Sequence, residues 1–242
     1  MPRFLSPLPE APPRWPRHSL LGALSPAARD DLLALGAPCR YPAGRRLIAQ
    51  GATTRHVVVL LRGSVKVVAT TESGRDVLLG LRHCGDLVGE LACLDDHPRS
   101  ATVTTAAPAE VRVIKQLEFL AFLDRHRDAA IVLSGSIARR LRDSTKRRVE
   151  LIGEPVRTKL ALVLSEFLDQ TPDPIDADKP QIELTQAELA SLVDASEVSV
   201  QRALSELRRM GAIMTRYRGI LVHDAAALRR AAVREPVAGR TA

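Results

Sequence analysis

At 242 residues the chain has room for one large domain or two smaller ones. Apolar residues make up 45% of it and aromatics only 3%, so a sizeable core can form but must be mostly aliphatic. The 35 Lys and Arg outnumber the 28 acids and leave a formal charge of +7, which suits a polyanionic partner as well as a plain arginine-rich surface. The three cysteines, Cys39, Cys84 and Cys93, are odd in number and lack CxxC spacing, which argues against a disulfide scaffold and a zinc site. They read as small apolar residues of a reduced, cytoplasmic protein. No apolar run approaches the roughly 20 residues of a membrane span, and the proline-rich start lacks the apolar core of a signal peptide.

In chain order, residues 1–18 read as a disordered, proline-rich tail. A short helical stretch follows, with Ser25 as N-cap and Pro26 in the first turn. From Cys39 to Val113 short Val-, Leu- and Thr-rich runs alternate with glycines. Strands are expected over 57–61, 64–70, 77–81 and 101–105, as in an antiparallel β-barrel or roll. From 116 to 152 the pattern is helical and free of proline. Leu133, Ile137, Leu141, Ser144 and Arg148 fall on one stripe at spacings of three and four, which suits packing against a partner helix; covering the β-roll is the competing explanation. Gly153 and Pro155 end that helix and start another, placing a hinge and domain boundary there. A helix over 156–168 and a polar loop over 171–180 follow.

The C-terminal region carries a second signature. After a short strand over 182–184, Thr185 and Glu188 form a capping box for a helix reaching Val193. Asp194 and Ala195 make a tight turn, and Ser196 caps a second helix to about Met210. Val200, Ala203, Leu204 and Leu207 face the core, with Glu197, Val198, Gln201 and Arg202 opposite. Two short helices around a tight turn make a helix-turn-helix, and 213–222 reads as a β-hairpin wing carrying Arg216 and Arg218. Double-stranded DNA is therefore the expected partner. Arg202 can donate two bonds to guanine and Glu197 can accept from cytosine. Thr185, Ser196 and the wing arginines are candidates for fixing register on phosphates, and Gln186 and Ser199 complete the expected DNA-binding set. From Arg202 onward nine arginines face three acids, in keeping with this.

The sharpest motif lies in the strand-rich half, where Gly89-Glu90-Leu91-Ala92 is followed by Pro98-Arg99-Ser100-Ala101. This spacing can bring a carboxylate and a guanidinium into one small pocket. The planar fork of Arg suits two oxygens of a phosphodiester, Glu accepts from a ribose hydroxyl, and N–H groups after Gly89 add anion stabilisation. A surface Glu90–Arg99 ion pair beside a turn is the competing explanation.

Gly63-Ser64-Val65, Gly85-Asp86 and the two segments above resemble the phosphate-binding cassette of cyclic-nucleotide-binding domains. With Ile137-Ala138-Arg139-Arg140-Leu141 and 184–190 added, the chain resembles the catabolite activator (CRP/FNR) family of bacterial regulators. The resemblance implies an α+β fold with an N-terminal double-stranded β-roll (cyclic-nucleotide-binding jelly roll) over 19–125, a long dimerisation helix over 126–152, a C-terminal winged helix-turn-helix over 153–233 and a tail over 234–242. It implies a cAMP effector, with cGMP as an alternative. Gly89, Glu90 and Leu91 would line the ligand, Glu90 taking the ribose 2′-hydroxyl and Arg99 and Ser100 the cyclic phosphate. Arg140 falls near the adenine. Ser144 and Thr145 match two hydroxyl residues, here in inverted order, that meet adenine from the two subunits. A homodimer on a palindromic operator follows, with RNA polymerase as a further partner that the 171–180 loop is placed to meet. The family's Arg-Glu pair followed by Arg is replaced by Glu197, Val198 and Arg202, so the operator should differ from the familiar TGTGA half-site. Arg148 stands where the seam is usually apolar.

Other function classes find less support. An iron–sulfur sensor needs clustered cysteines, and His83 or Cys84 are weak haem candidates. DNA binding independent of cAMP, or a response to another ligand, is the rival within the family. No catalytic residues are expected: the chain shows no activated nucleophile, acid/base pair, metal-spaced cluster or P-loop.

Overall fold

The computed structural model describes residues 15–170, 181–216 and 219–233. The chain divides into two compact units, one ending at Leu141 and the other beginning at Arg142.

The first unit is a β-roll of two four-stranded antiparallel sheets. One has the order β1 (Ala37–Tyr41), β8 (Ala109–Ile114), β3 (Val57–Arg62), β6 (Leu87–Val88). The other has β2 (Arg46–Ile48), β7 (Thr102–Thr105), β4 (Ser64–Thr70), β5 (Asp76–His83). Strand β3 explains the unbroken apolar run at its start. Val58 and Leu60 point into the core between the sheets with Val65, Val88, Val103 and Val111. Val57 and Val59 point the other way, into a second core closed by helices. A strand covered on both faces has no need of polar alternation.

That second core is roofed by α1 (Leu20–Ala23), α2 (Pro26–Ala34), α4 (Gln116–Arg125) and the start of α5 (Arg127–Leu151), through Leu21, Leu32, Phe119, Phe122 and Leu133. The short α3 (Glu90–Leu94) follows β6. Ser25 caps α2 as expected, accepting from the Ala28 amide. The folded unit begins earlier than the expected tail boundary at residue 18. Trp15 packs on the helix-covered core and its indole N–H faces the Leu61 carbonyl at 3.4 Å, while the Ser19 hydroxyl donates to the Pro16 carbonyl.

The helical stretch 116–152 is not continuous. It breaks at His126, whose φ of −115° and ψ of 81° leave the helical region. The cause is tertiary: His126 Nε2 lies 2.8 Å from an Asp31 carboxylate oxygen, and Ser25 donates to Asp128 at 2.8 Å, so α2 holds the junction on both sides. The stripe on α5 also needs correction. Leu133 is buried and Ile137 partly so, both against the roll. The large apolar side chains that α5 leaves exposed are instead Ile131 and Leu141 in the first unit and Val149 in the second.

In the second unit the end of α5 packs with α6 (Val156–Gln170). Arg147 makes a bidentate pair with Glu166 and lies over the Phe167 ring, so this part of the helix joins the compact unit before the boundary expected at Gly153. Gly153 ends the helix at φ 77°. Next come β9 (Gln181–Ile182), α7 (Gln186–Val193), α8 (Glu197–Arg209), the hairpin β10 (Ile213–Arg216) and β11 (Gly219–Val222), and α9 (Ala225–Ala231). The sheet order is β10-β11-β9, all antiparallel.

Candidate ligand and DNA sites

Gly89 opens the first site. It is the N-cap of α3 at φ 86°, and a Cβ there would lie 2.7 Å from Arg99 Nη1 and 2.9 Å from the Ile48 side chain. Only glycine accepts both the left-handed backbone and the close approach. Arg99 is 3% exposed. Its Nη1 donates to the Gly89 carbonyl at 2.7 Å, Nη2 to the His56 carbonyl at 2.5 Å and Nε to the Thr54 hydroxyl at 3.2 Å. All three acceptors are neutral, and among the described residues no carboxylate stands at ion-pair distance. Burial therefore pulls the pKa of its guanidinium below the ordinary arginine value. Burial and the Arg99 charge together lower the His56 pKa as well.

Glu90, 6% exposed, is paired with Arg140 rather than Arg99. Arg140 Nη1 donates to Glu90 Oε1 at 2.7 Å and its Nη2 donates to the Leu87 carbonyl at 3.0 Å. A surface Glu90–Arg99 ion pair is thereby ruled out on both counts. Leu91 is exposed at the start of α3, and Ser100 is exposed beside Arg99. Ser144 and Thr145 are exposed on α5, in the second unit. Thr54 and His56 were not singled out in the sequence, although the polar run 53–56 before an apolar strand was a usable signal. Arg55 in that run donates to both the side chain and the carbonyl of Asp96, and Gln116 of α4 donates to the same side chain, bracing the loop that leads to Arg99.

These side chains suit an anionic sugar phosphate: a buried, unbalanced cation, a buried acid beside it and a glycine cradle. Among the described residues no group of three or more His, Cys, Asp or Glu could hold a metal, and no helix is long and apolar enough to cross a membrane.

The second site is the helix-turn-helix. Thr185 and Glu188 close the capping box on α7 in both directions, so the Thr185 hydroxyl is already committed at 2.9 Å to Glu188. Asp194 makes the turn at φ 48°, ψ 61°, in the left-handed region that Asp tolerates. Ser196 caps α8 by accepting from the Ser199 amide. Val200, Ala203, Leu204 and Leu207 are buried, which leaves Glu197, Val198, Gln201 and Arg202 exposed on one face. Gln186 is exposed on α7 and Arg216 on the wing, while Arg218 lies outside the described residues, as does the 171–180 loop. Arg208, missed in the sequence, donates to Thr215 at 3.3 Å and Ser205 at 2.9 Å and ties α8 to the wing. A cation in the last turn of α8 was the available signal.

A β-roll with this cassette, joined to a winged helix-turn-helix, defines a transcription regulator with a cyclic-nucleotide-binding domain and a DNA-binding domain. Family models agree: residues 38–126 match the cyclic nucleotide-binding domain, and residues 158–231 match the Crp-like helix-turn-helix domain. The chain belongs to the CRP/FNR family of transcription regulators. It is 28% identical to the cAMP-activated global transcriptional regulator CRP of Salmonella typhimurium over 76% of this chain and 88% of that one. Among solved structures, a CRP-family transcriptional regulator from Thermus thermophilus is 26% identical, with a TM-score of 0.64 over 80% of this chain and 96% of that one. The c-di-GMP responsive global regulator CLP of Xanthomonas campestris shares the fold at a TM-score of 0.68 and 20% identity, over 83% of this chain and 100% of that one.

Proposed function

We propose that the protein is a cytoplasmic, cAMP-responsive regulator that binds a palindromic operator as a homodimer and works with RNA polymerase. The observation that carries the ligand reading is Arg99. A buried guanidinium facing three neutral oxygens is an unbalanced charge, and it retains N–H donors for a phosphodiester. In this reading Arg99 and Ser100 take the cyclic phosphate, Glu90 the ribose hydroxyl, and Ser144 and Thr145 the base. Arg140 orients Glu90. The α5 face supports a helix–helix dimer. Gly135 sits mid-helix with nothing within 4 Å of where a Cβ would be, and an exposed helical glycine costs about 1 kcal/mol unless something approaches it closely. Glu197, Val198, Gln201 and Arg202 face the bases, and Gln186, Ser196, Arg216 and Arg218 the phosphates.

One observation favours a second reading, a response to another nucleotide or DNA binding without one: Glu90 Oε1 is already engaged by Arg140. Calorimetric titration with cAMP, cGMP and c-di-GMP, with Arg99→Ala as control, separates the two. Micromolar cAMP binding that Arg99→Ala abolishes supports the cAMP reading. Binding of only another nucleotide, or of none, overturns it and leaves the DNA-binding reading standing.

A further inference from the structure

Val198 has no folding role that accounts for it. It is the second residue of α8 and is 59% exposed. There it buries little apolar surface, and a β-branched residue is a poorer helix former than alanine. Its neighbours on that face are all polar: Glu197, Gln201 and Arg202. Helical spacing sets Arg202 directly beyond Val198 in one row, and Gln201 beyond Glu197 in the next. Neither Glu197 nor Arg202 forms an ion pair among the described residues, so both charged ends are available to a ligand.

We infer that Val198 and Arg202 act as one reading unit for a thymine next to a guanine. This rests on α8 being the DNA-reading helix. The Arg202 fork donates to guanine O6 and N7, while the Val198 isopropyl group packs on the C5-methyl of the adjoining thymine. Each edge in the major groove presents hydrogen-bonding atoms, and thymine alone adds a methyl group. An apolar side chain among polar ones therefore has one base to prefer. Glu197, in the adjacent row, accepts from a cytosine amino group and is repelled by the acceptor atoms of guanine. The helix thus selects a half-site containing a T–G step with a cytosine amino group close by.

The test begins with selection of binding sites from random duplex DNA by the full-length protein, with the nucleotide that it binds. Each thymine of the selected half-site is then replaced in turn by deoxyuridine, which removes only the methyl group. One such replacement, next to the guanine whose loss Arg202→Ala tolerates, should weaken wild-type binding about fourfold. Val198→Ala should bind more weakly and be indifferent to that replacement. If no uracil matters to the wild type, or if the same uracil costs Val198→Ala as much, the assignment is overturned while DNA binding stands. If no sequence is enriched at all, the DNA-reading role of α8 falls and the assignment with it.

Discussion

Arg140 Nη1 meets Glu90 Oε1 at 2.7 Å, with the carboxylate side chain 8% and the guanidinium 23% exposed. Glu90 starts α3 and Arg140 lies on α5, so the pair ties the ligand cassette to the long helix within the first unit. A buried acid deprived of its cation is left uncompensated, at a cost of about 3 kcal/mol. Arg140→Met should therefore lower the unfolding free energy measured in urea by roughly that amount. Glu90→Gln in the same chain should restore part of it, because the stranded charge is gone. If the single variant loses no stability, the pair is ornamental.

Gly89→Ala attacks the same pocket through the backbone. The φ of 86° costs a non-glycine residue about 1–2 kcal/mol, and the added methyl would press on Arg99 Nη1. Melting should fall by several degrees, and nucleotide affinity should drop more than tenfold, as Arg99 is displaced. Thermal denaturation and calorimetry on one preparation read both. Unchanged affinity would mean that Arg99 does not hold the ligand.

How much of this was legible in the sequence depended on the range of the interaction. The Ser25, Thr185 and Ser196 caps and the Asp194 turn are contacts within three or four residues, and local chemistry was enough to place them. The break at His126 rests on bonds to Asp31 and from Ser25, about a hundred residues away, and no local signal marks it. The α5 stripe failed differently. Periodicity shows that Leu133 and Ile137 share a face but not what covers it, and here the roll does. In the cassette, Glu90 and Arg99 were found by motif. The Thr54 and His56 oxygens that cradle Arg99 come from a segment more than forty residues upstream.

His83 makes stability depend on pH. Its Nε2 is buried without a partner among the described residues, and burial, outweighing the nearby Asp86, pushes its pKa down to about 4 from 6.5. The unfolded chain therefore takes up a proton that the folded chain refuses. The resulting loss begins as pH falls below 6.5 and levels off below 4. Between pH 7 and pH 5 it amounts to about 2 kcal/mol. Urea unfolding at both values should show this loss in the wild type and a smaller one in His83→Phe. Equal losses in the two proteins would remove His83 as the cause.

Arg148 bears on the proposed dimer. It is exposed on α5, one helical turn beyond Thr145, and it pairs with no carboxylate among the described residues. Its neighbours do: Lys146 lies 3.6 Å from Glu150, and Arg147 is held by Glu166. In a parallel pair of such helices, residues of one seam layer face their own copies. Two Arg148 guanidiniums then oppose each other with no acid between them, a repulsion that salt screens within about 10 Å. Arg148→Leu replaces that repulsion with apolar burial, and the dimer should tighten by about tenfold or more. Sedimentation equilibrium should show the wild-type dimer strengthening with added salt and the variant indifferent to it. Equal dissociation constants for the two proteins would place Arg148 outside the seam, whereas a wild type that stays monomeric throughout would refute the dimer itself.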